Sequence, residues 1–374
     1  NEYGTWSNPL ALQRESLSNT EARRGDTIAA LLHKLGEMSP GEEKRIVTQL
    51  GQDEPAQVRA TAQMFQSLEA VDMAFQSLAD FWTEYLSNNW VETPDDAFNS
   101  MVNVHNPRQC HTTMNWSRYL SLYQLGLGAR GIGFRDSSQD VMGVLAGMPQ
   151  EAKALMKKLL SVQLTNGSAM HQFFPLSMEA NEGDSREEGD KQWYGDDHLW
   201  IVQAVSAYLK ETGDYEFLSE GITYYSKERP LEEREEGTVL DHLKRALAFS
   251  KTNTGAHGLP LLGFADWNDC VNLQGDAESV MIANLYGRAL LEMIELMDYT
   301  GDDVAAANYR ADHAEMKKVM NESVWDGEWF MRYFEADGTP IGSNQNSEGK
   351  IYTNAQSWSV FAGFADEERA KQAL

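Results

Sequence analysis

Basic residues are scarce in this sequence of 374 residues. Its 31 lysines and arginines stand against 57 aspartates and glutamates, so the formal net charge is −26. Nucleic acids and anionic membrane surfaces attract proteins through basic surfaces, and this charge balance argues against both as partners. We therefore expect a neutral ligand, or a small anion that a few local arginines bind.

Cysteine is also rare, and Cys110 and Cys270 are the only two in the sequence. Two cysteines are too few for a disulfide framework in a chain of this length, and such usage is typical of a reducing, cytoplasmic compartment. Neither belongs to a CxxC pair that would indicate zinc. Apolar runs such as residues 258–264 are far shorter than the roughly 20 residues of a membrane span, so no bilayer crossing is expected.

Several motifs of common enzymes are missing. The sequence has no glycine-rich phosphate loop, no HExxH and no GxSxG, and its eight histidines show no ligand spacing. This pattern argues against a nucleotide-dependent enzyme, a zinc protease and a serine hydrolase. We expect neither a metal nor an organic cofactor.

Hydrophobic periodicity divides the chain into a short β-rich start and a long helical remainder. Residues 45–50 have the pattern of a strand, which predicts that residues 1–54 are the tail of a β-rich domain. Residues 55–92 carry apolar side chains every three or four positions and predict a helical linker. Thr93-Pro94 supplies an N-cap and a first-turn proline, so we place the next domain at residues 93–374.

The region after residue 93 is predicted to consist of helical hairpins. The tripeptides Thr212-Gly213-Asp214 and Thr300-Gly301-Asp302 each end a predicted helix, with glycine at the expected C-cap and aspartate able to start the next element. This repeat suits successive helix pairs of a toroid. A β-hairpin is expected where residues 329–334 run into Asp337-Gly338. The strongest helical patterns cover residues 150–163, 198–211, 239–251, 277–299 and 302–322.

Three loops are dense in aromatic, amide, arginine and aspartate side chains. They lie at residues 115–140, 196–200 and 263–272. Such side chains suit sugars, because a sugar presents apolar C–H faces to aromatic rings and a rim of hydroxyls to bidentate polar groups. Each loop also has a plain structural interpretation, and in residues 115–140 it is that Arg135, Asp136 and Asp140 only form caps and ion pairs. Residues 263–272 can form a turn with Asx caps, and Asp196-Asp197 can cap the helix that follows.

Motifs in these loops carry a family resemblance. RGIGFRDSSQD at 130–140, DDHLW at 196–200 and GLPLLGFADWNDCVN at 258–272 resemble the disaccharide phosphorylases of glycoside hydrolase family 94. That family includes cellobiose, cellobionic acid and chitobiose phosphorylases. The resemblance implies a mainly α fold, in which an incomplete (α/α)6 toroid follows a helical linker and the tail of a β-sandwich domain.

The resemblance also implies roles for individual residues. Asp269 matches the general acid of the family, whereas Asp266 matches a neighbouring acid that is not catalytic. The family's phosphate-binding segments have no match in the sequence, and residues 93–374 are few for twelve helices with long loops. We therefore interpret the chain as the central part of a longer protein. The residues that match those holding the sugar in the donor subsite are Arg118, Arg130, Asp136 and Trp267.

The implied reaction needs one acid and no base. An inverting hydrolase needs an acid for the leaving oxygen and a base for water, whereas phosphate is already a nucleophilic anion. The resemblance implies reversible, inverting phosphorolysis of a β-linked disaccharide of the cellobiose or cellobionic acid type. Partial burial beside Trp267 is expected to keep Asp269 protonated. The implied partners are the disaccharide, inorganic phosphate as co-substrate, and a second copy of the chain in a homodimer.

Other functions stay open from the sequence. A chitobiose-type phosphorylase would share these motifs and differ in the sugars it accepts. An inverting hydrolase on the same toroid would need a second carboxylate, for which Asp136, Asp140 and Asp197 are candidates. A non-catalytic sugar-binding domain would use the same aromatic and arginine side chains but would not need Asp269.

Overall fold

The structure is a computed structural model that describes residues 4–5, 8–17, 30–50, 55–117, 131–175, 177–183, 193–271 and 273–374. It contains two compact units, Asn1–Thr83 and Glu84–Leu374. The fold is mainly α, as predicted. In the described ranges no strand is longer than three residues.

The first unit holds few regular elements. Strands β1 Gly4–Thr5 and β2 Asn8–Pro9 form an antiparallel pair, and helix α1 Pro55–Met64 precedes helix α2 Leu68–Ser87, which begins in this unit. The strand predicted at residues 45–50 is wrong, because these residues form no regular structure. A strand needs a neighbour to complete its hydrogen bonds, and no described segment pairs with this one.

The second unit contains most of the long helices. Five of them, α6 to α10, lie close to the five strongest periodic patterns. In chain order the described helices are α3 Asp96–Ser100, α4 Asn106–Thr112, α5 Phe134–Met142, α6 Pro149–Leu160, α7 Asp197–Thr212, α8 Val239–Thr252, α9 Val280–Thr300, α10 Asp303–Val319, α11 Thr353–Phe361 and α12 Glu367–Ala373.

Helices α7 and α9 form the centre of the core. Helix α7 packs against α5, α6, α8 and α9, and α9 also packs against α10 and α11. Leu199, Ile201 and Val202 of α7 are completely buried, although they point to different sides of the helix. A helix that is apolar all round belongs in the interior, because no face gains from contact with water.

Short strands lie in the connections between the helices. Strands β3, β4 and β5 form one antiparallel sheet, and β8, β9 and β10 form another. The predicted hairpin is present as β9 and β10, with Asp337-Gly338 in its turn. In chain order these strands are β3 Ile132–Gly133, β4 Gln172–Phe173, β5 Ala180–Asn181, β6 Gly221–Thr223, β7 Glu236–Thr238, β8 Glu278–Ser279, β9 Tyr333–Phe334 and β10 Pro340–Ile341.

The first helix of this unit begins later than predicted. Asp95 is its N-cap, since one carboxylate oxygen accepts the backbone N–H groups of Ala97 at 2.9 Å and Phe98 at 3.1 Å. The hydroxyl of Thr93, the predicted cap, instead accepts the N–H of Asp95 at 3.2 Å. Both residue types cap well, so the sequence alone could not choose between them.

The two Thr-Gly-Asp helix ends are confirmed. Gly213 and Gly301 end α7 and α9 in the left-handed conformation, with φ of +69° and +80°. No atom lies within 4 Å of a Cβ placed on either glycine. A side chain there therefore meets no steric contact and adds only backbone strain.

Gly301→Ala is expected to lower the free energy of unfolding by about 1 kcal/mol, because alanine resists the left-handed conformation. Gly301→Asn is expected to lose less, since asparagine adopts this conformation more readily. Urea unfolding monitored by circular dichroism measures both variants. Equal losses for alanine and asparagine would contradict a backbone origin.

Candidate active site

Asp269 lies near the tip of a loop between α8 and β8. The start of this loop passes close to the backbone of Trp193 at Gly263. A Cβ on Gly263, whose φ is +68°, would lie 2.3 Å from the backbone oxygen of Trp193, so this position requires glycine. The side chain of Asp269 is 60% exposed, and Trp267 is 52% exposed. The expected burial of Asp269 beside Trp267 is therefore wrong in this structure. Both side chains are open to a ligand.

Asp266 lies in the same loop but points into the fold, where it is completely buried. Arg332 donates to both of its carboxylate oxygens, at 2.7 and 2.9 Å, in a bidentate ion pair. The hydroxyl of Ser279 donates at 2.6 Å, and the backbone N–H of Asn268 donates at 2.9 Å. These partners occupy the carboxylate from several sides. Asp266 is therefore an anchor of the loop, with no face left for a ligand.

Asp266 also contacts Tyr333, which precedes the turn of the β9–β10 hairpin. Its hydroxyl donates to Asp266 at 3.3 Å, and burial followed by the negative charge of Asp266 raises the pKa of Tyr333. The tyrosine therefore stays neutral and remains a donor. Strand β9 thus helps to fix the base of the Asp269 loop.

Arg135, near the start of α5, joins three parts of the site. One terminal nitrogen donates to the backbone oxygen of Asp266 at 2.6 Å and to the carboxylate of Asp196 at 3.3 Å. The other terminal nitrogen donates to the carboxylate of Asp269. Burial alone would lower the pKa of Arg135, but the surrounding aspartates outweigh that effect and raise it. The guanidinium therefore stays charged.

The Asp196-Asp197 pair begins α7, but its side chains do not cap the helix as the plain interpretation expects. Asp196 occupies the N-cap position, yet its carboxylate accepts the indole N–H of Trp200 at 2.9 Å and faces Arg135. Burial raises the pKa of Asp196, although the charge of Arg135 opposes that rise. The carboxylate of Asp196 therefore binds Arg135 of the site instead of capping the N-terminus of α7.

Asp197 is completely buried and holds His171. The Nδ1 atom of His171 lies 2.9 Å from one Asp197 oxygen, and the other oxygen has no hydrogen-bond partner among the described residues. The imidazole ring stacks on Tyr194, with ring centroids 3.5 Å apart. Burial alone would lower the pKa of His171, but Asp197 outweighs it and raises that pKa.

The other predicted site residues are placed as follows. Asp136 follows Arg135 in α5 and is half-buried, with one carboxylate oxygen 3.0 Å from where a Cβ of Gly133 would lie. A carboxylate in the first turn of a helix is favoured by the helix dipole. Arg118 and Arg130 lie outside the described residues. The structure thus joins the start of α5 to the Asp269 loop through Arg135, a residue of the RGIGFRDSSQD motif to which the sequence analysis gave no role in binding or catalysis.

Two general features bear on ligands. Among the described residues, no three histidine, cysteine, aspartate or glutamate side chains are grouped so that they could hold a metal ion. No helix in that part of the chain is both long and apolar enough to cross a membrane. The chemistry that the described site offers is that of one exposed carboxylate in contact with a buried guanidinium.

Comparison with known proteins gives two family matches. Residues 81–374 match the glycosyl hydrolase 94 superfamily, catalytic domain, and residues 1–68 match the glycosyl hydrolase 94 supersandwich domain. An N,N'-diacetylchitobiose phosphorylase of Vibrio proteolyticus is 30% identical, with 100% of this chain and 47% of the relative covered.

Two further relatives extend the comparison. A solabiose phosphorylase of Paenibacillus borealis is 32% identical, over 100% of this chain and 45% of the relative. A cellobionic acid phosphorylase of Neurospora crassa is 26% identical, over 99% of this chain and 45% of the relative. The chain therefore spans about half the length of these relatives. The family match covers most of its residues, and the chain belongs to the glycosyl hydrolase 94 superfamily.

Proposed function

We propose that the protein containing this chain catalyses the reversible, inverting phosphorolysis of a β-linked disaccharide. The products are an α-sugar 1-phosphate and a free sugar. The observation that carries the proposal is the contrast between the two loop carboxylates: Asp266 is fully engaged inside the fold, whereas Asp269 is exposed and held by Arg135. The similarity to three disaccharide phosphorylases supports the same reaction.

In this proposal Asp269 is the general acid. It donates its proton to the glycosidic oxygen as the bond from that oxygen to C1 breaks, while phosphate attacks C1 from the opposite face. The exposed indole of Trp267 suits the apolar face of the sugar ring. The residues proposed to hold the hydroxyls of the donor sugar are Arg118, Arg130 and Asp136.

One of the three carboxylates that could serve a hydrolase as the base is inaccessible, whereas Asp136 and Asp140 are half-buried. An inverting hydrolase needs a second carboxylate that activates water on the far side of the sugar. Asp197, one candidate for that base, is completely buried and holds His171 at 2.9 Å. A carboxylate in this position has no access to a water molecule on a bound sugar. Phosphate, an anion already, removes the need for such a base.

Two substrate types are proposed. The motifs favour a substrate of the cellobiose or cellobionic acid type, and the similarity to the Vibrio enzyme supports a chitobiose type as the alternative. We propose no cofactor, and inorganic phosphate is the co-substrate. We also propose that the helix pairs belong to an (α/α)6 toroid and that the protein is a cytoplasmic homodimer.

Phosphate dependence tests the proposed reaction. The purified protein that contains this chain is incubated with cellobiose, cellobionic acid or N,N'-diacetylchitobiose, with and without inorganic phosphate. We expect an α-sugar 1-phosphate, seen by phosphorus and proton NMR, from one of the three and only when phosphate is present. Release of free sugars at the same rate without phosphate would identify a hydrolase instead.

A further inference from the structure

In the described part of the chain, the guanidinium of Arg135 is enclosed by protein groups and leaves little surface for a sugar. Its side chain is only 5% exposed, and its polar contacts are with Asp196, the backbone of Asp266 and the carboxylate of Asp269. Its Cζ atom also lies 5.7 Å from the centre of the Tyr194 ring. A side chain enclosed in this way acts on the reaction through its protein partners.

We propose that Arg135 is the positioning residue of Asp269, and that it stabilises the negative charge that forms on Asp269 when the acid gives up its proton. This inference rests on the proposed phosphorolysis. The proton-transfer step then involves two residues. Asp269 donates the proton, and Arg135 stabilises the negative charge that remains on Asp269.

Geometry supports the positioning role. The carboxylate of Asp269 is at an exposed loop tip, where a short side chain rotates freely unless a partner holds it. Arg135 is such a partner, because its planar fork is fixed at one end by the Asp266 carbonyl and by Asp196. The free end of the fork then sets the orientation of Asp269 relative to α5.

The proton balance supports the charge-stabilising role. In phosphorolysis the O–H bond of Asp269 breaks, its proton moves to the glycosidic oxygen, and that oxygen keeps the electron pair of its broken bond to C1. In synthesis the Asp269 carboxylate takes a proton from the acceptor hydroxyl. A charged arginine that binds a neutral carboxylic acid gains the attraction between opposite charges when that acid becomes a carboxylate. The Arg135 contact therefore strengthens as the proton leaves, and a contact that strengthens in the transition state accelerates the reaction.

Three assays with Arg135→Met test the proposal. They are phosphorolysis of the disaccharide, synthesis from the sugar 1-phosphate, and phosphorolysis of the matching β-glycosyl fluoride, whose leaving group needs no proton. We expect kcat for the disaccharide to fall by about 10²-fold, as when a donor to a developing negative charge is removed. Synthesis is expected to slow by about the same factor where the chemical step limits both directions, because the two directions share one transition state. The fluoride is expected to lose much less.

Matched variants separate this role from a structural one. Arg135→Lys keeps the charge but loses the fork, so we expect partial recovery of disaccharide phosphorolysis. If Arg135→Met does not fold, the double variant Arg135→Met/Asp196→Asn removes the buried carboxylate that the single variant leaves without its partner. Circular dichroism and thermal unfolding establish that each variant is folded before it is assayed.

The outcomes distinguish a failure of the Arg135 proposal from a failure of the proposed function. If a folded Arg135→Met variant loses the same factor on disaccharide and fluoride, or loses nothing, Arg135 does not act through Asp269 and the inference is overturned. If the unsubstituted protein shows no phosphate-dependent reaction at all, the proposed function fails before Arg135 is considered. Selective loss on substrates that need the proton supports both.

Discussion

Asp269→Asn is expected to lower the rate of disaccharide phosphorolysis by about 10²–10⁴-fold, the usual contribution of a general acid. Asparagine has nearly the same shape and still accepts a hydrogen bond from Arg135, but it has no proton to transfer to the glycosidic oxygen. The side chain is 60% exposed, and the buried Arg135 keeps its ion pair with Asp196, so the fold is expected to survive. Steady-state kinetics with saturating phosphate measures the loss.

A substrate with a better leaving group tests whether Asp269→Asn loses activity because it lacks the proton of Asp269. The fluoride ion of a β-glycosyl fluoride leaves without being protonated. Asp269→Asn is therefore expected to retain far more activity on the glycosyl fluoride than on the disaccharide. Asp276→Asn is the control, because Asp276 is an exposed aspartate in the same connection before β8 and the substitution removes the same charge. Equal losses on both substrates would show that Asp269 holds the sugar rather than donating a proton.

The helices could be predicted because local sequence determines them. Apolar residues recur every three or four positions along α6 to α10, and glycine ends α7 and α9 in the left-handed conformation that it adopts most easily. These signals act over one or two helical turns. The strand predicted at residues 45–50 depended instead on a partner strand, which no local pattern supplies.

The sequence names candidate residues for the site but not the contacts between them. Family motifs point to Asp269, Trp267 and Asp136, whereas their spacing says nothing of which side chain touches which. Arg135 is separated by 61 residues from Asp196 and by 134 from Asp269, so only the packing of α5 against α7 and the course of the loop bring them together.

Expectations from neighbouring sequence were also wrong for two carboxylates, Asp196 and Asp269. Asp196 precedes a helix, where an aspartate usually caps the backbone, but in this fold the buried Arg135 competes for the carboxylate and is the stronger partner. Exposure of Asp269 was missed for a similar reason. A neighbouring tryptophan in the sequence suggested burial, whereas the loop directs both side chains outward.

Asp266→Asn is expected to lower the free energy of unfolding by about 3–5 kcal/mol, the usual cost of breaking a buried ion pair from one side. The substitution leaves the charge of Arg332 uncompensated in the interior, where that side chain is 1% exposed. It also weakens the acceptor of the Ser279 hydroxyl, which in turn caps α9 through the N–H of Ile282. Urea unfolding at 25 °C measures the loss.

A double variant tests whether the loss comes from the unpaired charge. Asp266→Asn/Arg332→Met removes both members of the pair, so it is expected to be more stable than Asp266→Asn alone. If both variants are equally unstable, the hydrogen bonds of Asp266 to Ser279 and to the backbone of Asn268 matter more than the ion pair.

Asp266→Asn also tests which of the two loop carboxylates is the acid. Arg135 binds the backbone oxygen of Asp266 and not its carboxylate, so the substitution does not remove a hydrogen bond of Arg135. Per folded molecule, the variant is therefore expected to keep much more activity than Asp269→Asn. If instead Asp266→Asn stays folded and abolishes phosphorolysis while Asp269→Asn leaves it near normal, the acid lies three residues earlier, and the buried ion pair with Arg332 must open during the reaction.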